Sequence, residues 1–304
     1  MKKTALFVAM ASAATFAQAE TVEIKVPTFY GKFNVSQEFE QIENGESFSE
    51  LNSNASRLGL KGDMAINDDI TAIYQAEYQI DVDGDGDAFK MRNTFVGAKG
   101  DFGKVQAGFF DTALKASQKK VDVFGDLEGD IKNYVTNSEN RVTDVVRYQS
   151  PSLSGLVLTF DHINGDAEGE ANAQSMSAAF TQDQVYVAAA YDIDVEGTGV
   201  DVVRVVGQFN LDGVQLGALW ESEDDNGTSA DGFMVSAKAK VSSNVTLKGQ
   251  FAASDIVFEN TTQITLGADY KLAKKAKAFV YATDVDVDGV AGGQKFGAGV
   301  EYKF

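Results

Sequence analysis

The sequence predicts an all-β fold: a transmembrane, sixteen-stranded antiparallel β-barrel whose third outer loop folds inward. Three observations predict it. From Thr28 to Phe304 the chain repeats one grammar, an alternating apolar and polar run followed by a turn, which is the period of a strand with one buried face. The turns switch regularly between tight and long, as they do when hairpins open alternately toward two sides of a membrane. One segment, Ala113–Asn140, breaks the grammar altogether, and a structureless stretch of that length inside a compact domain calls for a job.

The first 19 residues stand apart. Lys2 and Lys3 precede an apolar stretch from Ala5 to Ala17, and Ala17-Gln18-Ala19 fits a small-x-small cleavage site. This is the three-part pattern of a cleaved secretory signal peptide, with an apolar stretch too short to span a bilayer as a helix. Residues 1–19 are therefore assigned to export and 20–304 to the barrel. Every later apolar run is broken within a few residues by a charge, an amide or a glycine, so no helical span is expected. A barrel strand needs only about 9–11 residues with every second one apolar.

Formal charge is −19, and losing Lys2 and Lys3 leaves the remainder two charges more negative. So acidic a chain repels phosphate backbones, which argues against a nucleic-acid partner. With no cysteine and one histidine, a disulfide framework and a cysteine–histidine metal site are both excluded by composition. Two prolines in 304 residues leave the strand ladders almost free of missing donors.

The elements follow in order. Thr28–Gln41 places Phe29, Phe33, Val35 and Phe39 opposite Lys32, Asn34, Ser36 and Glu38. Ser56–Asn67 sets Leu58, Leu60, Met64 and Ile66 against Arg57, Lys61 and Asp63. Ile70–Asp81 sets Tyr74, Ala76, Tyr78 and Ile80 against Gln75, Glu77 and Gln79; Phe89–Asp101 is less regular, with Arg92 on its polar side. Gly103–Thr112 leads into the long segment and Thr143–Ser150 leaves it. Gly155–Gly165, Gln174–Asp183, Val185–Val195, Val200–Leu211, Val214–Asp224 and Asp231–Ser242 follow. Val245–Asp255, Thr261–Leu272, Ala276–Val287 and Gln294–Phe304 alternate most cleanly. The even count lets the sheet close with both ends on one side. Connections such as Asp212-Gly213 and Ala273–Lys275 are tight, whereas the intervening ones, among them Ile42–Ala55, Val82–Ala88 and Asp225–Ala230, are longer and rich in Asp, Gly and Asn.

A soluble sandwich would share the alternation. The aromatic-dotted apolar faces and the aromatic final strand favour lipid, which demands a closed ladder and places rings at its interfaces. Within Ala113–Asn140 lie Asp122, Asp126, Glu128 and Asp130, while neighbouring strands carry isolated arginines. Opposed charge across a confined aqueous space is the functional clue.

Taken together, "SRLGLKGD" (56–63), "MRNTFVGAKGDFGKVQAGFFDT" (91–112), "VVRYQSPSLSGL" (145–156) and "FGAGVEYKF" (296–304) resemble Gram-negative general diffusion porins. The resemblance covers the chain beyond the export segment. It implies a homotrimer of outer-membrane barrels, each narrowed by its third outer loop, through which small hydrophilic solutes and ions diffuse without catalysis or cofactor. It also implies outer-membrane lipid and lipopolysaccharide as surroundings, and Phe304 as the terminal aromatic read by the barrel-assembly machinery. By position, the basic wall of the constriction would be Arg57, Arg92 and Arg147 with Lys32 beside them. The facing acids would come from Asp122, Asp126, Glu128 and Asp130. "VDVFGD" (121–126) departs from the family's usual loop turn, so the individual acid is open.

Other readings are weaker. "DVDGDGD" (81–87) and "DVDVDG" (284–289) imitate a calcium loop, but their twelfth positions are Arg92 and Lys295 instead of glutamate. His162 has no serine or cysteine motif around it, so a barrel-fold outer-membrane hydrolase is poorly supported. A pore selective for sugars or for phosphate is the runner-up. The acidic loops argue for a weak cation preference, and the basic wall argues against it.

Overall fold

The protein is described from a computed structural model covering residues 26–42, 45, 47–84, 86–165, 171–288 and 290–304; the export segment assigned to 1–19 lies outside the described residues. In chain order the strands are β1 (Thr28–Ile42), β2 (Ser47–Ser53), β3 (Arg57–Ala65), β4 (Thr71–Ile80), β5 (Phe89–Met91), β6 (Thr94–Gly100), β7 (Gly103–Asp111), β8 (Arg141–Gln149) and β9 (Leu156–Ile163). The second half holds β10 (Ala173–Gln182), β11 (Val185–Ile193), β12 (Val200–Leu211), β13 (Val214–Asp225), β14 (Thr228–Lys240), β15 (Val245–Ser254), β16 (Thr261–Ala273), β17 (Ala276–Val287) and β18 (Val290–Lys303). Each pairs antiparallel with its neighbours, and β1 pairs with β18 to close the sheet.

These segments make a sixteen-stranded barrel, because two wall strands are each interrupted once. β2 and β3 both pair with β1, and β5 and β6 both pair with β4. At the first break the register slips by one residue, from Val35 opposite Ser53 to Lys32 opposite Arg57, with Ala55 at φ +48°. The second slips likewise, from Ile80 opposite Phe89 to Gln75 opposite Phe95. Each break lies beside a predicted wall arginine, Arg57 or Arg92, in keeping with the use of bulges to re-aim a side chain. The loop expected over Ile42–Ala55 instead contains β2, Ser47–Ser53, which forms part of the second wall strand; its short polar run masks the alternation. Likewise Asp225–Ala230 is no long loop. Asn226 and Gly227, at φ +51° and +91°, turn the chain in two residues, the double positive φ that matches strand twist.

The wall is inside-out relative to a soluble protein. Phe29, Phe33 and Phe39 are 63%, 40% and 51% exposed, whereas Lys32, Asn34, Ser36 and Glu38 between them are buried. The same inversion holds on β15 to β18: Leu247, Leu266 and Val300 are exposed, and Lys248, Gln250, Gln263 and Thr265 are buried. Only a surrounding apolar solvent makes that arrangement favourable.

The break in the grammar is also real. Between β7 and β8 the chain forms a short helix, α1 (Ala113–Ser117), capped by the Thr112 hydroxyl, which accepts from the Lys115 N–H at 3.1 Å. A single 3₁₀ turn (Ile131–Asn133) follows. Val121, Ile131 and Val135 pack against Tyr186, Val206, Leu219, Met234 and Ala252 of β11 to β15, so this half of the wall turns apolar side chains toward the segment.

Candidate pore constriction

Hydrogen bonds seat the 113–140 segment along the polar faces of the strands. The Asp161 carboxylate of β9 accepts from the Ala113 N–H at 2.8 Å, and Ser175 of β10 accepts from the Leu114 N–H at 3.0 Å. Tyr186 of β11 donates to the Ser117 carbonyl (2.6 Å) and Gln215 of β13 to that of Lys120 (2.7 Å). Gln250 of β15 bridges two parts of the segment, accepting from the Val123 N–H at 3.2 Å and donating to the Gly129 carbonyl at 2.9 Å; Ser254 donates to the Val135 carbonyl at 2.7 Å.

The predicted acids divide into two pairs. Asp126 and Glu128 reach wall cations. Asp126 Oδ2 lies 2.7 Å from Lys32 Nζ and 2.9 Å from Arg57 Nη2, partners 94 and 69 residues away in sequence. Burial by itself would raise the Asp126 pKa; the charges of Lys32 and Arg57 outweigh it and bring the carboxyl down to about 2. Glu128 Oε1 meets Lys295 Nζ of β18 at 2.7 Å and accepts from the Tyr134 hydroxyl at 2.7 Å. Asp122 and Asp130 instead satisfy the segment's own backbone. Asp122 accepts from the N–H groups of Phe124 (2.7 Å) and Ile131 (3.2 Å), and Asp130 from those of Asp126 (2.7 Å) and Lys132 (3.0 Å). Burial, and next the neighbouring charge of Asp130, push the Asp122 carboxyl well above the usual range.

The predicted cations divide as well. Lys32, Arg57 and Arg92 cluster: Arg92 Nε is 2.9 Å and Arg57 Nη1 3.8 Å from Glu77 Oε1, and Arg92 Nη1 donates to Gln79 at 3.0 Å. Arg147 is elsewhere. It is buried in a fork–fork pair with Asp161, both contacts at 2.6 Å, donates to the Asp111 carbonyl at 2.7 Å and sits 4.7 Å over the Phe110 ring. It therefore holds the root of the segment. Arg141, not Arg147, lines the cavity, with its Nη2 2.8 Å from Asp111. The long segment predicted to end at Asn140 and the run predicted from Thr143 leave Arg141 between them, whereas β8 begins at Arg141; the available signal was a basic residue two positions before an alternating run.

A second buried network also escaped the sequence. Arg204 of β12, fully buried, pairs with Glu221 of β13 and Glu139 at 2.6 Å each and donates to Ser138 at 2.9 Å. Its bridging needs the β12–β13 register, where Arg204 lies opposite Glu221. His162 faces the other way from Asp161 and Ile163, opposite Gln174 and Val146. No group of three or more metal-ligating side chains forms among the described residues; Asp85, in the first calcium-like motif, is outside them.

Between segment and wall lies a cavity of about 1090 Å³ with an overwhelmingly polar lining that includes Glu40, Arg57, Arg92, Asp126, Glu128, Arg141 and Lys295. Charged groups of both signs line this space, the loop acids in direct contact with wall cations, and a lining of this kind favours water and hydrated solutes over apolar ones.

Residues 5–290 match the profile described as Gram-negative porin. Among curated relatives, the major outer membrane protein P.IB of Neisseria meningitidis (serogroup A) is 26% identical over 93% of this chain and 92% of its own. A monosaccharide porin of Halomonas is 30% identical over 76% of this chain and 73% of its own. Among solved structures, an anion-selective porin from Comamonas acidovorans superposes with a TM-score of 0.78 at 20% identity, covering 92% of this chain and 99% of that one.

Proposed function

The chain belongs to the Gram-negative porin family, and from that premise we propose that it is a passive outer-membrane channel for small hydrophilic solutes and ions, with no catalytic step. One observation carries the reading: a charged cavity is enclosed by a wall whose opposite face is apolar. Residues 113–140 act as an inward-folded constriction loop, with Asp126 and Glu128 facing Lys32, Arg57, Arg92, Arg141 and Lys295. Asp122 and Asp130 shape the loop, and Arg147 anchors its root. Planar-bilayer recording tests this: stepwise conductance increases are expected on addition of the purified protein, and their absence would sink the channel reading.

A second reading is a pore selective for sugars, which the name of the Halomonas relative favours. An aromatic slide should then line the lumen, yet among the described residues around the cavity Phe48 is the one aromatic side chain. Liposome swelling with neutral sugars graded by size separates the two, since a general channel ranks them by size alone. Assembly as a homotrimer, surrounded by lipid and lipopolysaccharide, and Phe304 as the signal for barrel assembly complete the proposal. Chemical crosslinking of the native protein should stop at three chains.

A further inference from the structure

Beyond the throat, the bore carries a group of lysines that the constriction does not use. Lys238 on β14, Lys248 on β15 and Lys277 on β17 line the same cavity as Lys119 and Lys120 of the loop. Lys248 and Lys277 share one carboxylate, that of Asp269, at 3.2 and 3.0 Å. Lys119, Lys120 and Lys238 make no ion pair among the described residues. The other acid within electrostatic reach of Lys248, Asp122, is turned to the N–H groups of Phe124 and Ile131.

This imbalance is particular to one side of the bore. Around Arg57 and Arg92 the cations meet Glu77 and Asp126, and Lys295 meets Glu40 and Glu128. On the other side, three lysines of β14, β15 and β17 and two of the loop meet two carboxylates: Asp269, shared by Lys248 and Lys277, and Glu301, which lies opposite Lys277 and already pairs with Lys303. Lys238 lies opposite Lys248 across β14 and β15, and the charge of Lys277 is within electrostatic reach of both. The Lys248 ammonium also packs 4.5 Å from the centroid of the Phe124 ring. The polar lining, the several convergent ammonium donors and the enclosing walls suit a compact oxyanion that carries more than one negative charge.

We propose that Lys119, Lys120, Lys238, Lys248 and Lys277 form an anion station in the bore for doubly charged oxyanions of the phosphate type, which makes the channel anion-preferring although the chain as a whole is strongly acidic. The proposal rests on the channel reading above. The residues around the cavity include thirteen lysines and arginines against ten aspartates and glutamates, so the chain's overall acidity does not set the sign of the potential where ions must lose part of their hydration.

Reconstituted native protein in planar bilayers under a KCl gradient tests it. The zero-current potential should have the sign of chloride preference, and millimolar inorganic phosphate should reduce the chloride current saturably. The K238Q/K277Q variant, in which Lys248 keeps Asp269 as partner, should shift the potential toward potassium and weaken the phosphate effect several-fold. Migration of the unboiled variant in a denaturing gel reports whether it folds. Potassium preference, indifference to phosphate, or a folded variant indistinguishable from wild type would each overturn the station and leave the channel standing. The wild-type measurements decide the matter even if the variant fails to fold. A protein that gives no conductance steps would remove the channel reading itself.

Discussion

Asp126 shows how much one carboxylate depends on where the wall puts its cations. With a folded pKa of about 2, below the ordinary aspartate value of about 4, its ion contacts stabilise the loop fully above that ordinary value and are lost only as pH falls through about 2. Channel selectivity between pH 7 and 4 should therefore show no step from this group. D126N should shift the zero-current potential in a KCl gradient toward the anion-selective sign, because the carboxylate that meets Lys32 and Arg57 is gone. An unchanged potential in a folded variant would refute the assignment. Asp161 argues from burial instead. It neutralises Arg147 and accepts from the Ala113 N–H, so D161N strands a buried guanidinium, at a cost of about 3–5 kcal/mol; thermal unfolding followed by loss of sheet signal should move down accordingly. That Arg147 faces the bore side was legible from the alternation of β8. That it is consumed by Asp161 was not, because the partner lies on the next strand and is set by pairing register.

The loop is held by many single contacts on different strands, and their removal should loosen it without opening the barrel. Gln250 is the informative case: its amide satisfies one N–H and one carbonyl of the loop at once. Q250L leaves both groups in a polar but enclosed space, with a penalty of about 1–3 kcal/mol for each that stays unpaired. Single-channel current noise should rise, and protease cleavage between 113 and 140 should quicken, while sheet content stays constant. Unchanged noise and cleavage would mean that the apolar contacts of Val121, Ile131 and Val135 suffice. At this scale the sequence was most informative where lipid enforces a strict alternation, as on β1 and β15 to β18. It was least informative where bulges and short polar runs interrupt a strand, as at Ser47–Ser53, or where one basic residue preceded a strand, as at Arg141. The interior face of β11 to β15 also broke expectation, since it meets apolar loop residues instead of water.

At the scale of the whole barrel, what joins the first strand to the last decides whether there is a bore at all. The even strand number and aromatic final run made closure readable. The lysine grouping was not, because Lys238, Lys248 and Lys277 are unremarkable residues on separate strands until register and curvature bring them to one cavity. Closure itself rests on the pairing of Lys32–Ile42 with Gly293–Lys303. Phe304 extends it by one step: its N–H donates to the Gly31 carbonyl at 3.1 Å and its carbonyl accepts from the Gly31 N–H at 3.3 Å. Its ring lies about 6 Å from those of Phe29, Phe33 and Tyr302, and a Cβ at Gly31 would stand 2.4 Å from its Cζ. The ring thus occupies the notch glycine leaves, and each ring pair adds about 1 kcal/mol beyond area burial. F304A keeps the backbone bonds but removes all three ring contacts, whereas L216A trims an exposed apolar side chain of β13, which pairs with β12 and β14 and not with the seam strands. The fraction of chains reaching the compact, heat-modifiable form should fall clearly for F304A and little for L216A. Equal yields would reduce Phe304 to one more lipid-facing residue and would leave closure to the β1–β18 ladder alone.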